Sequence, residues 1–490
     1  MSFAVIGIVL AAALSVLSLA HVLPMLVALS AGNGGQAVVF AMTGLLTAFI
    51  AGALGLATRG QGRRPMMTER LLAVGVAWLV VPAFGAIAFV GTDPEVLYAD
   101  AYFDAVSALT TTGSISLINE VYSSPSVTIW RATLQWVGGF ATLLMAMVVL
   151  AQVGFAGLTL RRAAIPPGNT SGPFGRYWPA MQALGFAYGM VTLVGIVVLL
   201  IGGMALIPAI GMAFSAVATG GFMPQGGTLI AGVGYLPAIA VAAMLFVGAT
   251  NYMRHAGLVR HSPRAYWDDP EFRYAVIGTL AGGIVLSGLV AVLSGGDLPV
   301  SHGILWAVSL LSTSVHPVDE QGFTQIPLLV ALGIVFIGGS TMSTAGGLKL
   351  MRVALLMKQG VREINRLSHP HGIVHTEFGG RPFGMPLMRG VWTMFVVMVM
   401  LALVTTLALT LFGIEFDQAM AAAIGALANA GPVLGFAPGA DGAALGLDAT
   451  SVYAQMPAAA KFVLCLAMVA GRMEMLAFIG IFVGLTIRDS

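Results

Sequence analysis

Charge is scarce in this sequence, and that scarcity indicates its class. Only 9% of the 490 residues are Asp, Glu, Lys or Arg, whereas 58% are hydrophobic and the mean hydropathy is +0.93. A soluble protein cannot keep that much apolar surface away from water, so the composition excludes a soluble globular domain. Apolar runs of about 20 residues recur, as helical spans require, while the alternating pattern of a transmembrane β-barrel is absent. The sequence therefore predicts an all-α membrane protein.

Common catalytic patterns are missing as well. The sequence has no nucleotide-binding P-loop, no nucleophile elbow and no HExxH motif, so neither an ATP-driven pump nor a hydrolase is indicated. His369, His371 and His375 cluster in one connection, but their spacing matches no zinc signature and favours a solvated loop. The single cysteine, Cys465, excludes an intrachain disulfide. We therefore expect no catalytic residues, no organic cofactor and no nucleic-acid partner.

The apolar runs predict ten membrane spans. The N-terminus lacks the basic region of a cleaved signal peptide and stays apolar for nearly 30 residues, so it is interpreted as the first span. The predicted spans are residues 3–30, 36–58, 71–92, 128–158, 178–208, 233–253, 274–296, 326–350, 390–413 and 460–486. All but three of the 22 Lys and Arg residues lie at alternate connections, whereas twelve of the 20 acidic residues lie in the opposite ones. The positive-inside rule then predicts that both termini are cytoplasmic, with the protein in the cell inner membrane.

Four octapeptides repeat at nearly constant spacing along the chain. They read "SALTTTGS" (107–114), "SAVATGGF" (215–222), "SLLSTSVH" (309–316) and "GALANAGP" (425–432). Position seven of each lies 42 to 45 residues after the last basic residue before the preceding span. This spacing predicts four units of span, half-helix, loop and span, after two extra N-terminal spans. The predicted divisions are residues 1–69 for the extra pair and 70–175, 176–272, 273–388 and 389–490 for the repeats.

The four loops carry hydroxyls, amide oxygens and glycines. Irregular backbone at membrane depth is tolerated only where it is buried in protein or lines a watery cavity. Four such loops around one axis would form an oxygen-lined ring that replaces the hydration shell of a cation, and glycine lets successive carbonyls face the same way. Packing of small residues is the alternative for any one loop. Asp104 and Asp417, near the starts of two half-helices, are interpreted as caps that complement the helix dipole.

These residues resemble the Trk/Ktr/HKT superfamily of potassium transporters, and most of all the bacterial TrkH type. The motifs are "TTTG" (110–113), "ATGGF" (218–222), "NAGPVLG" (429–435), "FIGGSTMSTAGGLK" (336–349), "REINRLSHP" (362–370) and "KFVLCLAMVAGRMEML" (461–476). The likeness runs from about residue 70 to the C-terminus. It implies channel-like uptake of K⁺ through four fused pore repeats, a homodimer in membrane lipid, and a cytosolic nucleotide-binding regulatory partner of the TrkA type.

The resemblance also implies roles for individual residues. The K⁺-binding filter would comprise Thr110, Thr111, Thr112, Gly113, Ala218, Thr219, Gly220, Gly221, Ser312, Thr313, Ser314, Val315, Ala428, Asn429, Ala430 and Gly431. An intramembrane gate below it would comprise Gly338, Gly339, Ser340, Thr341, Ser343, Thr344, Gly346, Gly347 and Arg472. The glycines and hydroxyls of residues 338–347 should interrupt the helix, and Arg472 needs a partner or water because a charge inside a span is costly.

One loop departs from the pattern. Position seven is Gly113, Gly221 and Gly431 in three loops but Val315 in the third, and a β-branched residue with positive φ is an outlier. We therefore expect the third loop to take another backbone path, and K⁺ to be discriminated from Na⁺ less strongly.

Other functions stay open on the sequence. A Na⁺- or H⁺-coupled K⁺ symporter usually needs an intramembrane carboxylate, for which Glu474 is the one clear candidate. An intramembrane enzyme would need convergent His, Asp or Glu at membrane depth, and a sensor that has lost transport is hinted at by Val315 alone. Growth rescue of a host that lacks K⁺ uptake would separate a transporter from a sensor or an enzyme.

Overall fold

The computed structural model describes residues 3–60, 67–117, 124–147, 178–256, 264–294, 298–368, 377–378, 381–440 and 452–473, most of which are α-helical. The helices are α1 (Phe3–Ala20), α2 (Val22–Ser30), α3 (Gly34–Ala57), α4 (Met67–Thr92), α5 (Tyr98–Leu109), α6 (Pro125–Met145), α7 (Trp178–Ile201), α8 (Leu206–Val217), α9 (Leu229–Val233), α10 (Tyr235–Ala249), α11 (Tyr252–Ala256), α12 (Arg264–Trp267), α13 (Pro270–Ser294), α14 (Val300–Leu311), α15 (Glu320–Gln325), α16 (Leu328–Ile337), α17 (Leu350–Ser368), α18 (Met385–Leu411), α19 (Phe416–Leu427), α20 (Val452–Gln455) and α21 (Ala458–Arg472). A 3-10 helix covers Gly431–Phe436. Strands β1 (Glu377–Phe378) and β2 (Arg381–Pro382) form an antiparallel hairpin with Glu377 opposite Pro382.

Six of the described stretches are long and apolar enough to cross a membrane. They are Ala4–Ser30, Gly34–Ala57, Glu69–Thr92, Trp178–Ile201, Pro270–Leu293 and Leu387–Leu411. The first combines α1 and α2, which meet at a turn at His21. These stretches coincide with six of the ten predicted spans, so the all-α membrane fold is confirmed.

Four helices of equal length form the half-helices of the repeats. α5, α8, α14 and α19 each have 12 residues. At 1.5 Å per residue such a helix is about 18 Å long, short of the roughly 30 Å hydrocarbon core of a bilayer. A long helix precedes each of them (α4, α7, α13 and α18), and a further apolar helix follows (α6, α10, α16 and α21). The order of long helix, half-helix, loop and further helix therefore recurs four times, in the order that the spacing predicts.

Glycines on the following helices allow close packing against the ends of the half-helices. A Cβ at Gly138 of α6 would overlap the carbonyl oxygen of Leu109, and a Cβ at Gly471 of α21 would overlap that of Leu427. A Cβ at Gly248 of α10 would lie 3.1 Å from the carbonyl oxygen of Val217. Because these carbonyls all belong to position three of an octapeptide, the glycines mark equivalent points of three repeats.

The third repeat is interrupted where the glycines and hydroxyls predicted it. α16 ends at Ile337 and helix resumes at Leu350, with residues 338–349 in non-helical backbone. We call residues 338–349 the interrupting segment. Its ends are held together because Leu348 N–H donates to Phe336 O and Lys349 N–H to Ile337 O, both at 2.9 Å. The predicted spans 128–158 and 460–486 extend past Met147 and Met473, outside the described residues.

The N-terminal helices pack on the first repeat through polar and aromatic groups. The His21 ring lies 4.1 Å from the Trp130 ring of α6, centroid to centroid. Gln36 Oε1 accepts hydrogen bonds from the hydroxyls of Ser124 and Ser126, each at 2.6 Å. The extra pair is therefore attached to the helix that follows the first loop.

Candidate functional site: four loops and the segment beneath them

The four octapeptides have a common backbone path into the loop. We call them L1 (residues 107–114), L2 (215–222), L3 (309–316) and L4 (425–432). Their position-five residues, Thr111, Thr219, Thr313 and Asn429, all have left-handed φ values, of 53°, 53°, 59° and 53°. In each loop the position-five N–H donates to the position-two carbonyl at 2.9 to 3.2 Å. Left-handed backbone is strained for residues with a Cβ, and its recurrence at one position shows that the repeat extends to the backbone of the loops.

Position seven reverses the expectation for the third loop. Val315 has φ 51°, in the same left-handed region as Gly113 (84°) and Gly221 (72°). The expected departure of L3 from the common path is therefore wrong. Gly431 is the residue that differs, because it lies outside the left-handed region and begins the 3-10 helix.

A serine at position one closes three of the loops. Ser107 Oγ donates to Ser114 O at 2.7 Å, and Ser309 Oγ donates to His316 O at 2.8 Å. In L2, Ser215 Oγ instead accepts from Phe222 N–H at 3.0 Å. These bonds join positions one and eight, and they hold the left-handed residues between them. The serine at position one of three octapeptides is the sequence signal for this closure.

The loops lie side by side. Gly431 N–H of L4 donates to Thr112 O of L1 at 2.7 Å. A Cβ at Gly113 of L1 would overlap Gly220 O of L2, and a Cβ at Gly221 of L2 would overlap Ser314 O of L3. The structure thus brings the sequence-predicted loop residues together, with L1 between L4 and L2, and L2 next to L3.

The interrupting segment packs against three of these loops. Gly346 N–H donates to Thr313 Oγ1 of L3 at 2.7 Å. The hydroxyls of Thr219 in L2 and Thr344 lie 3.4 Å apart, and a Cβ at Gly346 would overlap Ala428 O of L4. The segment therefore lies against position four or five of L2, L3 and L4.

Arg472 completes the contact on the side of L1. Only 3% of it is exposed, and its guanidinium donates to Thr110 O, to Thr111 Oγ1 and, at 2.7 Å, to Thr344 O. The partner that the sequence required is therefore a set of carbonyl and hydroxyl oxygens. Arg472 links L1 to the interrupting segment and brings a positive charge directly beside the loops.

Glu271 is a site residue that sequence reasoning missed. It is fully buried at the start of α13, and its Oε1 accepts from Thr341 N–H at 3.1 Å and from Thr341 Oγ1 at 2.8 Å. Beneath the segment a cavity is lined by Lys349, Arg352 and Arg472, among others. No local motif around Glu271 predicts its bonds to the interrupting segment, because Thr341 lies 70 residues away along the chain.

The two aspartates interpreted as caps have different positions. Asp417 lies in the first turn of α19, where a carboxylate complements the dipole. Asp104 lies well inside α5 and is fully buried, and its Oδ2 is 2.6 Å from Arg131 NH1. The capping interpretation is therefore wrong for Asp104, which belongs to a buried ion pair behind L1.

Some predicted features fall outside the described residues. Glu474, the candidate coupling carboxylate, lies there, as do His369, His371 and His375. Among the described residues no group of three or more His, Cys, Asp or Glu side chains is arranged to hold a metal ion.

These observations define an α-helical membrane protein with four repeats of long helix, half-helix and loop, whose loops lie side by side against the interrupting segment. The family model described as "TrkH: Cation transport protein" matches residues 36–486, and the chain belongs to this family. The resemblance predicted from the motifs is thereby confirmed.

Individual relatives match over most of their length. The Trk system potassium uptake protein TrkH of Salmonella typhimurium is 31% identical over 476 residues, covering 94% of each chain. That of Escherichia coli K12 is 31% identical over 428 residues, covering 84% of this chain and 85% of its own. The crystal structure of the potassium transporter TrkH from Vibrio parahaemolyticus superposes with a TM-score of 0.84 at 26% identity and covers 98% of both chains. These relatives are transport proteins rather than enzymes.

Proposed function

We propose that this protein takes up K⁺ across the cell inner membrane by a channel-like route through L1 to L4. The observation that carries the proposal is the left-handed residue at position five of all four loops, which lie side by side. The relatives support the proposal because they are named as potassium uptake proteins.

The loop oxygens suit a dehydrated K⁺. Carbonyls can follow one another on the same side of a chain only where left-handed residues interrupt the usual backbone, and positions five and seven supply these in L1, L2 and L3. A ring of such oxygens replaces the ion's water. The proposed filter residues are Thr110 to Gly113, Ala218 to Gly221, Ser312 to Val315 and Ala428 to Gly431.

The interrupting segment is proposed as the gate, together with Arg472. Its contacts with Thr219, Thr313 and Ala428 support this proposal, and the Arg472 guanidinium would add an electrostatic barrier to cations. Opening would require Gly346 N–H to leave Thr313 Oγ1 and Arg472 to leave Thr110 or Thr344. The proposed gate residues are Gly338, Gly339, Ser340, Thr341, Ser343, Thr344, Gly346, Gly347 and Arg472.

Assembly and orientation are proposed on the family likeness and the charge pattern. We propose a homodimer with both termini in the cytoplasm and a TrkA-type nucleotide-binding subunit docked on the basic connections, chiefly residues 349–389. α17, which follows the gate directly, carries Arg352, Lys358, Arg362 and Arg366. Copurification with a nucleotide-binding subunit tests the partner. The repeat boundaries at residues 70, 176, 273 and 389 stay predictions.

One experiment tests uptake and its coupling. The gene is expressed in a host that lacks K⁺ uptake, and growth at low external K⁺ is measured together with ⁸⁶Rb⁺ entry into proteoliposomes. We expect rescue, and Rb⁺ entry that persists without Na⁺ and without a pH gradient. Entry only in the presence of either gradient would establish the coupled symporter instead. Failure of both rescue and Rb⁺ entry would contradict transport.

A further inference from the structure

Two buried polar side chains on α6 are bonded to the backbone of two different loops. Arg131 and Gln135 are one helical turn apart, so they share a face, and both are fully buried. Arg131 NH2 donates to Ser114 O of L1 at 2.6 Å, and Gln135 Nε2 donates to Gly220 O of L2 at 2.7 Å. We call Arg131 and Gln135 the α6 bracket.

Arg131 fixes the end of L1 through more than one bond. Its NH1 pairs with Asp104 Oδ2 at 2.6 Å, and Asp104 Oδ1 accepts from Ser116 N–H at 2.7 Å. The guanidinium also lies 5.2 Å from the centroid of the Phe222 ring, which is position eight of L2. Charge-assisted hydrogen bonds of this kind are short and directional. The Arg131–Asp104 pair therefore restrains the backbone at Ser114 and Ser116, where the chain leaves L1.

Gln135 restrains the middle of L2. Gly220 is position six, between the left-handed Thr219 and Gly221. A Cβ at Gly220 would lie 2.5 Å from Gln135 Cδ, so the amide packs directly against the loop backbone. Removing the amide would leave a buried carbonyl without this donor and with freedom to turn.

The equivalent positions of two other repeats are apolar. Gly138, Gly248 and Gly471 mark equivalent points, as shown by their contact with position three of the preceding loop. Arg131 lies seven residues before Gly138, and Gln135 lies three residues before it. The same offsets give Val241 and Leu245 on α10, and Leu464 and Met468 on α21, all four buried. The bracket is therefore a feature of the first repeat rather than of all repeats.

The bracket restrains the loops that have the least stiffness of their own. L1 and L2 have glycine at position seven, which leaves the backbone free. L3 has Val315, whose branched Cβ is conformationally stiff, and L4 continues into the 3-10 helix at Gly431. A loop oxygen that can shift inward accommodates a smaller ion, so restraint from behind favours the larger one.

We propose that Arg131 and Gln135 are positioning residues for ion selectivity, which hold the backbone of L1 and L2 so that the filter oxygens keep the spacing that suits K⁺ and disfavours Na⁺. This rests on the proposed transport function. It assigns the discrimination between the two ions partly to side chains that never touch them.

The test uses the full-length protein in proteoliposomes, with initial rates of ⁸⁶Rb⁺ and ²²Na⁺ uptake. Gln135→Met is close to isosteric and installs the residue of the fourth repeat. We expect the Rb⁺/Na⁺ rate ratio to fall about threefold, the change that one net hydrogen bond represents. Asp104→Leu with Arg131→Met removes the ion pair as a unit, which avoids leaving one charge buried alone, and should lower the ratio at least as far.

Leu245→Met is the matched control, because it changes the equivalent position of the second repeat without removing a bond to a loop. Its ratio should equal that of the native protein. A purely structural role for the bracket would lower both rates together and leave the ratio unchanged, and that result in a folded Gln135→Met protein overturns the inference. If Gln135→Met does not fold, Gln135→Leu replaces it. Absence of Rb⁺ uptake by the native protein would instead overturn the proposed function.

Discussion

The third and fourth loops invert what their sequences suggest. L3 lacks the glycine of its counterparts, yet Val315 has φ 51° and Thr313 has φ 59°, as in the first two loops. L4 has the glycine, yet Gly431 leaves the left-handed region and begins a 3-10 helix. The residue at position seven therefore does not by itself determine the path of the loop.

The difference lies in what surrounds each loop. In L3, Val315 N–H donates to Ser309 O at 3.0 Å and the Ser309 hydroxyl closes the loop. In L4, Gly431 O accepts from the Tyr453 hydroxyl at 3.0 Å, and a Cβ on Gly431 would overlap Ser114 Oγ. Glycine is required at position 431 by the close approach of L1, whereas at position 113 it serves both the φ angle and the approach of L2.

The largest effect should come from placing the residue of L3 in L1. Gly113→Val introduces a Cβ that overlaps Gly220 O, which is backbone and cannot move aside cheaply. We expect loss of Rb⁺ uptake by at least about 100-fold, since overpacking and strain together cost several kcal/mol. Rb⁺ uptake by proteoliposomes, with gel filtration to establish folding, measures this.

Gly227→Val is the control for backbone strain alone. Gly227 has φ 70° but no atom within 4 Å of a built Cβ, so this variant has the strained valine without the overlap. Its uptake should stay close to native. If Gly113→Val also transported normally, the close approach of L1 and L2 would not constrain position seven.

A smaller effect is expected at the contact between L3 and the proposed gate. Thr313→Val removes the acceptor of Gly346 N–H, and a buried donor left without a partner costs about 1–3 kcal/mol. The packed arrangement of the interrupting segment should weaken, and Rb⁺ leak through protein without a partner subunit should rise about tenfold or more.

Thr47→Val provides the matched threonine control. Thr47 is buried in α3, and its hydroxyl donates to Thr43 O within the helix, so this variant removes a buried threonine hydroxyl without removing a bond to the interrupting segment. The Rb⁺ leak through the Thr47→Val protein should equal that of the native protein. Equal leak in native and Thr313→Val protein would show that this bond does not hold the gate.

The fourth loop offers a milder change. Tyr453→Phe removes the hydroxyl that donates to Gly431 O at 3.0 Å while keeping the ring against Phe103. One net hydrogen bond is worth about 0.5–1.5 kcal/mol, so the Rb⁺ uptake rate should fall about two- to tenfold. A rate equal to native would indicate that the 3-10 helix holds L4 without this bond.

The sequence predicts the positions of the four loops well, but it does not predict which distant side chains hold the loops in place. Spacing located all four loops, because each repeat needs the same span and half-helix to reach the same depth. The sequence predicts a cap at Asp104 because the start of its helix is near in sequence, whereas its partner Arg131 approaches only in the fold. Glu271 and Gln135 likewise bond to residues 70 and 85 positions away, and no local pattern reports such pairs.

The smallest effect should follow from giving L3 the glycine it lacks. Val315→Gly relieves a left-handed valine but removes a buried side chain and adds freedom to the unfolded chain, and these terms oppose one another. We expect the free energy of unfolding to change by no more than about 1 kcal/mol and the Rb⁺/Na⁺ rate ratio by no more than about twofold. Thermal unfolding in detergent and paired ⁸⁶Rb⁺ and ²²Na⁺ uptake measure the two quantities. A large gain in selectivity would show that valine disturbs the ring despite sharing the backbone of the glycine loops, and the weak discrimination predicted from the sequence would then stand.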